Sequence, residues 1–111
     1  MEKAIEKFAS LSFADAQIQA VHIRNGELCI QGKDWQEKDF VLVFTDFIGL
    51  EAFGIEGQDL GHGTATSTDE FISRACKLVD DESEGVICFS FYSAWADKPI
   101  MKVAARSFHF E

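Results

Sequence analysis

Apolar residues near helical spacing open the chain, and charged residues occupy most of the intervening positions. In residues 3–11 the apolar set is Ala4, Ile5, Phe8, Ala9 and Leu11. Side chains three and four residues apart lie on one face of a helix, so this spacing predicts a short amphipathic helix at the N-terminus.

The pattern then changes to the period of two that is typical of a half-buried strand. Two alternating runs flank Asn25-Gly26, a dipeptide that favours a type I′ hairpin turn because both central residues need a positive φ. We predict a hairpin in which His22 faces Cys29. The apolar residues change parity near Ala20, which indicates a β-bulge there.

Further strand patterns follow the hairpin. Residues 40–44 are apolar at every position and predict an interior strand that is covered on both faces. A glycine-rich stretch predicts one edge strand at residues 63–66. Residues 86–95 and 100–110 predict a closing hairpin, with a bulge near Arg106.

A second helix is predicted between the glycine-rich stretch and the closing hairpin. Ser67 to Glu70 is an S-x-x-E capping box, which predicts a helix at about residues 68–79. The acidic residues 80–84 and Gly85 end it. Its apolar stripe comprises Phe71, Ile72, Ala75, Cys76, Leu78 and Val79.

These elements define the predicted fold class. The connections leave no room for helical crossovers between most strands, so the sheet should be antiparallel. We predict an α+β fold with a mainly antiparallel sheet of about 5–7 strands, an N-terminal helix and one internal helix. Residues 1–111 form a single domain in this prediction.

Composition and charge narrow the functional classes. The chain has 111 residues, 47% of them hydrophobic, which suffices for a core without disulfides or structural metal. Ten Lys and Arg against 19 Asp and Glu give a net charge of -9, a sign that disfavours nucleic acids and anionic membranes as partners. No apolar run reaches the roughly 18 residues of a membrane helix, and the N-terminus lacks a secretory-signal pattern. Three separated cysteines fit a reducing compartment, so we expect a cytoplasmic protein.

Motifs for catalysis are weak in this sequence. It has no zinc-hydrolase signature, phosphate-binding loop or serine nucleophile elbow, so we predict no cofactor and favour a non-enzymatic protein. The alternative is a small enzyme or ligand-binding domain with a pocket near Glu56, Asp59 and His62, where a histidine and a carboxylate could exchange protons. Metal binding by His22 and Cys29, or by the acidic turn after the second helix, stays open.

Two groups of residues are candidates for binding a partner. Four large aromatic residues lie near strand ends or turns, where such rings anchor protein interfaces, although packing under loops accounts for them as well. The acidic turn carries four carboxylates, which also suit a solvated surface. The candidate binding residues are Trp35, Phe53, Tyr92, Trp95, Asp80, Asp81, Glu82 and Glu84.

Four stretches of the chain carry a resemblance. They are Leu11-Ser12-Phe13-Ala14-Asp15-Ala16-x-Ile18, Leu28-x-Ile30 before Asp34-Trp35, Leu42-x-Phe44 with Asp46-Phe47, and Phe91-Tyr92-Ser93-Ala94-Trp95-x-Asp97-x-Pro99-Ile100. In these patterns the chain resembles small uncharacterised bacterial proteins, some of them similar to immunity proteins of toxin systems. The resemblance implies a compact β-rich fold in a bacterial cytoplasm and a role in binding another protein. It carries over no site residues.

The sequence therefore favours an acidic, non-enzymatic module that binds another protein. A basic protein such as a toxin domain is the expected partner, because complementary charge accelerates association. A homodimer formed through an exposed edge strand is a further alternative.

Overall fold

The computed structural model describes residues 2–111 and shows an α+β structure with two helices and eight strands. The elements are α1 (Glu2–Ala9), β1 (Gln17–Arg24), β2 (Glu27–Lys33), β3 (Asp39–Thr45), β4 (Gly49–Ala52), β5 (Leu60–Thr66), α2 (Glu70–Val79), β6 (Ile87–Ser93), β7 (Pro99–Ala105) and β8 (Ser107–Phe110). The first sheet has the strand order β1-β2-β3-β8 and the second has β4-β7-β6-β5. Paired strands are antiparallel in both sheets, which confirms the α+β class and the antiparallel arrangement.

The strands are divided between two sheets, whereas we predicted one sheet of about 5–7 strands. β3 continues into β4 and β7 continues into β8, and these two paths pair with each other in both sheets. Asp46, with a φ of 51°, lies between β3 and β4, and Arg106 separates β7 from β8 where we predicted a bulge. A residue in the left-handed region turns the backbone out of its extended course. The turn at Asp46 accordingly marks the passage from the first sheet to the second along this path.

Both sheets surround one core. Isolated bridges from Gln17 to Asp59 and from Ile18 to Glu56 join the start of β1 to the segment before β5. Six phenylalanine rings occupy the centre: Phe8, Phe13, Phe44, Phe89, Phe91 and Phe108. The fully buried ring of Phe8 lies with its centroid 5.0–6.4 Å from those of the other five, within the usual range for tilted and edge-to-face contacts.

A glycine in β5 makes room for α1. A Cβ atom at Gly63 would lie 2.8 Å from Cε2 of Phe8 and 3.0 Å from the ring of Phe13, which is closer than packed atoms tolerate. The missing side chain thus lets α1 approach β5 and place Phe8 in the core.

The first hairpin agrees with the prediction. Asn25 and Gly26 have φ values of 48° and 77°, and His22 pairs with Cys29 across the two strands. The register shifts between Ile18 and Ala20, which confirms the bulge. The predicted edge strand is also confirmed, because β5 lies at one edge of the second sheet.

The start of α2 differs from the predicted capping box. The helix begins at Glu70, and Asp69 is its N-cap in place of Ser67. Oδ1 of Asp69 accepts a hydrogen bond from the Phe71 amide at 2.8 Å, while Nζ of Lys102 donates to both carboxylate oxygens at 3.0 and 3.1 Å. A carboxylate caps a helix well and suits the positive end of its dipole. Asp69 thus fixes the start of α2 and ties it to β7.

Only part of the predicted apolar stripe of α2 is buried. Phe71, Ile72, Ala75 and Cys76 pack on the outer face of the second sheet, as expected for a helix against a sheet. The prediction was wrong for the end of the helix, where Leu78 is 83% exposed and Val79 is 53% exposed.

Candidate binding surface

The acidic segment, residues 80–84, leaves the end of α2 in a defined conformation. Asp80 adopts the left-handed conformation that ends the helix, and its N–H donates to the carbonyl of Cys76. Short polar residues tolerate this conformation better than other side chains do. The segment therefore starts in a fixed direction.

Arg106 holds the acidic segment against the sheets. Its guanidinium donates to the carbonyls of Glu82 at 2.8 Å and of Glu84 at 3.1 Å, and it pairs with Asp81 at 3.3 Å. Oδ1 of Asp81 also accepts from the Glu82 amide at 2.7 Å. The Asp81 carboxylate thus has its partners within the fold.

The other carboxylates of the acidic segment point to solvent. The side chains of Asp80, Glu82 and Glu84 are exposed, and they take part in none of the ion pairs found among residues 2–111. Since Arg106 donates to two backbone carbonyls of the segment and to the Asp81 side chain, these carboxylates extend from a fixed backbone and form a cluster of negative charge.

An apolar groove lies beside the acidic segment, between α2 and β4. Its volume is about 280 Å³, and Leu78 and Val79 form the end next to Asp80. Side chains and backbone from both elements line it: Ile48, Gly49, Leu50, Glu51, Phe71, Arg74, Ala75, Leu78 and Val79. The helix can lie close to the strand because Gly49 has no side chain: a Cβ there would be only 3.0 Å from that of Ala75.

One ion pair crosses this groove. Nη2 of Arg74 lies 3.3 Å from Oε2 of Glu51, and its guanidinium also stacks over the ring of Phe71 at 5.2 Å. The pair is solvent-accessible, so its contribution to stability is small. Its main consequence is that the one arginine in the groove is neutralised by a neighbour.

Sequence reasoning missed this groove. The pattern assigned Leu78 and Val79 to the buried stripe, and β4 was only part of a longer apolar run. The one signal in the sequence was that these two residues directly precede four acidic residues, which are almost never fully buried and therefore place the end of the helix near solvent.

The four aromatic candidates are dispersed over several loops. Trp35 lies in the β2–β3 turn, Phe53 follows β4 and Trp95 lies in the β6–β7 turn, with exposures of 67%, 65% and 89%. Tyr92 is half-buried and stacks on His62, with ring centroids 4.3 Å apart. Three of the four are therefore available for contact with a partner.

The three residues of the alternative pocket do not share one site. The carboxylate of Asp59 accepts from Nε2 of Gln17 at 2.7 Å, while His62 stacks on Tyr92. Glu56 is exposed and lines a cavity of about 130 Å³ with residues of β1. Asp59 and His62 thus have structural partners of their own.

The geometry around the cysteines does not favour a reactive thiol or a metal site. All three cysteines are free and buried, and burial raises the pKa of the Cys76 and Cys88 thiols, which keeps them protonated. His22 faces Cys29 as predicted. Within residues 2–111, no three His, Cys, Asp or Glu side chains are grouped closely enough to hold a metal ion.

Comparison of the chain with protein-family models, with curated proteins and with solved structures gives no significant match. Among the residues that the structure describes, no helix has the length and apolar character needed to cross a membrane.

Proposed function

We propose that the protein is a non-enzymatic module that binds a basic protein partner. The observation that carries this proposal is the acidic segment, whose three outward carboxylates are held in place beside an exposed apolar groove. A toxin domain bound by an immunity-type protein is the form of partner that the sequence resemblance implies.

The charge distribution supports a basic partner. The described ion pairs use five of the 19 acidic side chains, so most of the negative charge is not neutralised within the fold. Such a surplus raises the rate of encounter with a positive surface and loses this effect as salt shortens the Debye length to about 8 Å at physiological ionic strength.

The apolar groove can contribute the binding free energy that charge attraction alone does not provide. Electrostatic steering speeds association, but the binding free energy of most interfaces comes from a few buried apolar or aromatic contacts. Leu78 and Val79 are already exposed to solvent, so a partner that covers them gains the free energy of removing apolar surface from water.

The proposal is tested by isolating the partner from a lysate of the source cells and measuring its association rate. One variant combines Asp80→Asn, Glu82→Gln and Glu84→Gln, leaving Asp81 in its structural role. The matched control, Glu6→Gln with Glu37→Gln and Glu56→Gln, removes the same number of exposed charges elsewhere. We expect the first variant to slow association at least about tenfold at low salt, and the control to have a much smaller effect.

Three results would contradict the proposal. If association is equally fast for both variants and the original protein, the acidic segment does not steer the partner. If the retained protein is itself acidic, the charge argument fails. Steady turnover of a substrate by the purified protein would likewise replace a binding role by a catalytic one.

A further inference from the structure

The apolar stripe of α2 runs beyond the surface that covers it. Phe71, Ala75, Leu78 and Val79 recur at helical spacing and lie along one side of the helix. The first two are buried and the last two are exposed. A stripe that continues from a packed interface into solvent is the kind of surface that binds a further element.

β4 offers that further element a free backbone edge. It is an edge strand of the second sheet, and within residues 2–111 it pairs only with β7. The Phe53 amide donates to the Ile100 carbonyl at 2.9 Å, and hydrogen bonding alternates along an antiparallel pair. The N–H and C=O groups of Leu50 and Ala52 are therefore directed away from β7, toward the open side.

The open edge and the exposed end of the stripe border the same groove. An added strand would satisfy the backbone of Leu50 and Ala52 and place alternate side chains against Leu78 and Val79. Edge strands bind extended peptides in this way, with the backbone giving affinity and the side-chain pockets giving specificity.

Charge decides between two possible occupants, a second copy of this chain and a basic partner. Each copy carries a net charge of -9, so two acidic segments brought together would repel each other. The groove leads directly into the acidic segment, and its arginine, Arg74, is already paired with Glu51. Both features favour a positively charged occupant.

We propose that an extended, basic segment of a protein partner adds to the open edge of β4 as a fifth strand of the second sheet. An apolar side chain of that segment packs against Leu78 and Val79, and its lysines or arginines face the acidic segment. This inference rests on the proposed function and adds the surface that is used and the conformation of the bound segment.

The probe is a blocked octapeptide that alternates lysine and valine, titrated into the ¹⁵N-labelled protein and followed by amide chemical shifts. We expect the largest shifts at Leu50, Ala52, Leu78 and Val79. The variant Leu78→Ser with Val79→Ser should weaken binding by about tenfold, because apolar contact is lost. The control Ile23→Ser, which changes an exposed residue of β1, should leave the affinity unchanged.

Two matched peptides separate the parts of the proposal. Glutamate in place of lysine keeps the strand pattern and reverses the charge, and it should abolish binding. Methylation of alternate backbone amides keeps the side chains and removes the donors for strand pairing, and it should weaken binding by about tenfold or more.

The outcomes distinguish this inference from the proposed function. Charge-dependent binding with shifts at another surface overturns the strand-addition site and leaves the basic-partner function standing. Equal binding of the lysine and glutamate peptides at the groove overturns the basic occupant and, with it, the charge basis of the proposed function. Full affinity of the methylated peptide overturns strand pairing alone, and absence of binding by every peptide overturns the proposed site.

Discussion

The two helices are both short and amphipathic, but the protein packs them differently. α1 places the Phe8 ring between the two sheets, in contact with five other phenylalanines. α2 lies outside the second sheet over a smaller cluster and leaves Leu78 and Val79 uncovered. An amphipathic pattern thus identifies an apolar face, while the surrounding fold decides how much of that face is buried.

The means of attachment differ as well. α1 is held mainly by one large side chain in the core and by the space above Gly63. α2 is held at its start by the Asp69 cap and the ion pair with Lys102, and its far end extends past its support. Substitutions in each helix therefore test how far this contrast holds.

The largest effect is expected from Phe8→Ala. Removing a fully buried ring from the phenylalanine cluster should lower the free energy of unfolding by about 3–5 kcal/mol, since both the apolar contacts and the packing are lost. Urea unfolding followed by far-UV circular dichroism measures this quantity. Phe53→Ala removes an exposed ring and should change it by less than about 0.5 kcal/mol.

If Phe8→Ala does not fold, Phe8→Leu provides the milder test, with a smaller loss that is still larger than that of Phe53→Ala. Equal unfolding free energies for the Phe8 and Phe53 variants would show that α1 is not anchored in the core.

A smaller effect is expected at the start of α2. Asp69→Ala should lower the free energy of unfolding by about 1 kcal/mol through loss of the N-cap. Asp69→Asn keeps an oxygen for the Phe71 amide and removes the charge that faces Lys102. We expect Asp69→Asn to lower the free energy of unfolding by less than Asp69→Ala does, and this smaller loss measures the contribution of the ion pair separately from that of the N-cap.

The pH dependence at this site has a definite sign. Partial burial acts to raise the pKa of Asp69, but the Phe71 amide and Lys102 outweigh it and hold the pKa below its usual range. The charged carboxylate therefore stabilises the fold above the ordinary aspartate pKa of about 3.9, and this stabilisation is lost as the pH falls through the lower folded value. The stability difference between the original protein and Asp69→Asn should shrink below about pH 4, and a difference that grows there would contradict the assignment.

The smallest effect is expected at the end of α2. Leu78→Ser with Val79→Ser should change the free energy of unfolding by less than about 0.5 kcal/mol per site, because both side chains are already exposed. Ile72→Ala, in the buried half of the same helix, should cost about 2–5 kcal/mol. A large loss in the serine variant, measured by the same urea titration, would mean that the stripe is buried along its whole length.

Local signals in the sequence identified the elements that depend on local chemistry. Asn25-Gly26 specified the first hairpin and its register because its turn type needs positive φ at both positions. The capping box misled because Ser67 and Asp69 both suit an N-cap, and only the folded chain brings Lys102 to Asp69. The division into two sheets falls at the left-handed residue Asp46 on one path and at Arg106 on the other, and hydrophobic periodicity does not encode where a strand passes from one sheet to another.

The same limit applies to the candidate site. The acidic residues could be found from composition, but the sequence pattern gave no sign that Arg106 fixes their backbone or that β4 lies beside the end of α2. Both features arise from contacts between residues more than 20 positions apart, which local patterns do not report.

The central position of Phe8 also has a consequence for synthesis of the chain. Three of its ring partners, Phe89, Phe91 and Phe108, are more than 80 residues further along. At about 5–20 residues per second, a ribosome completes them roughly 5–20 s after Phe8 has been added. α1 is therefore made before the strands that cover it, and its apolar face stays uncovered until their phenylalanines have been added.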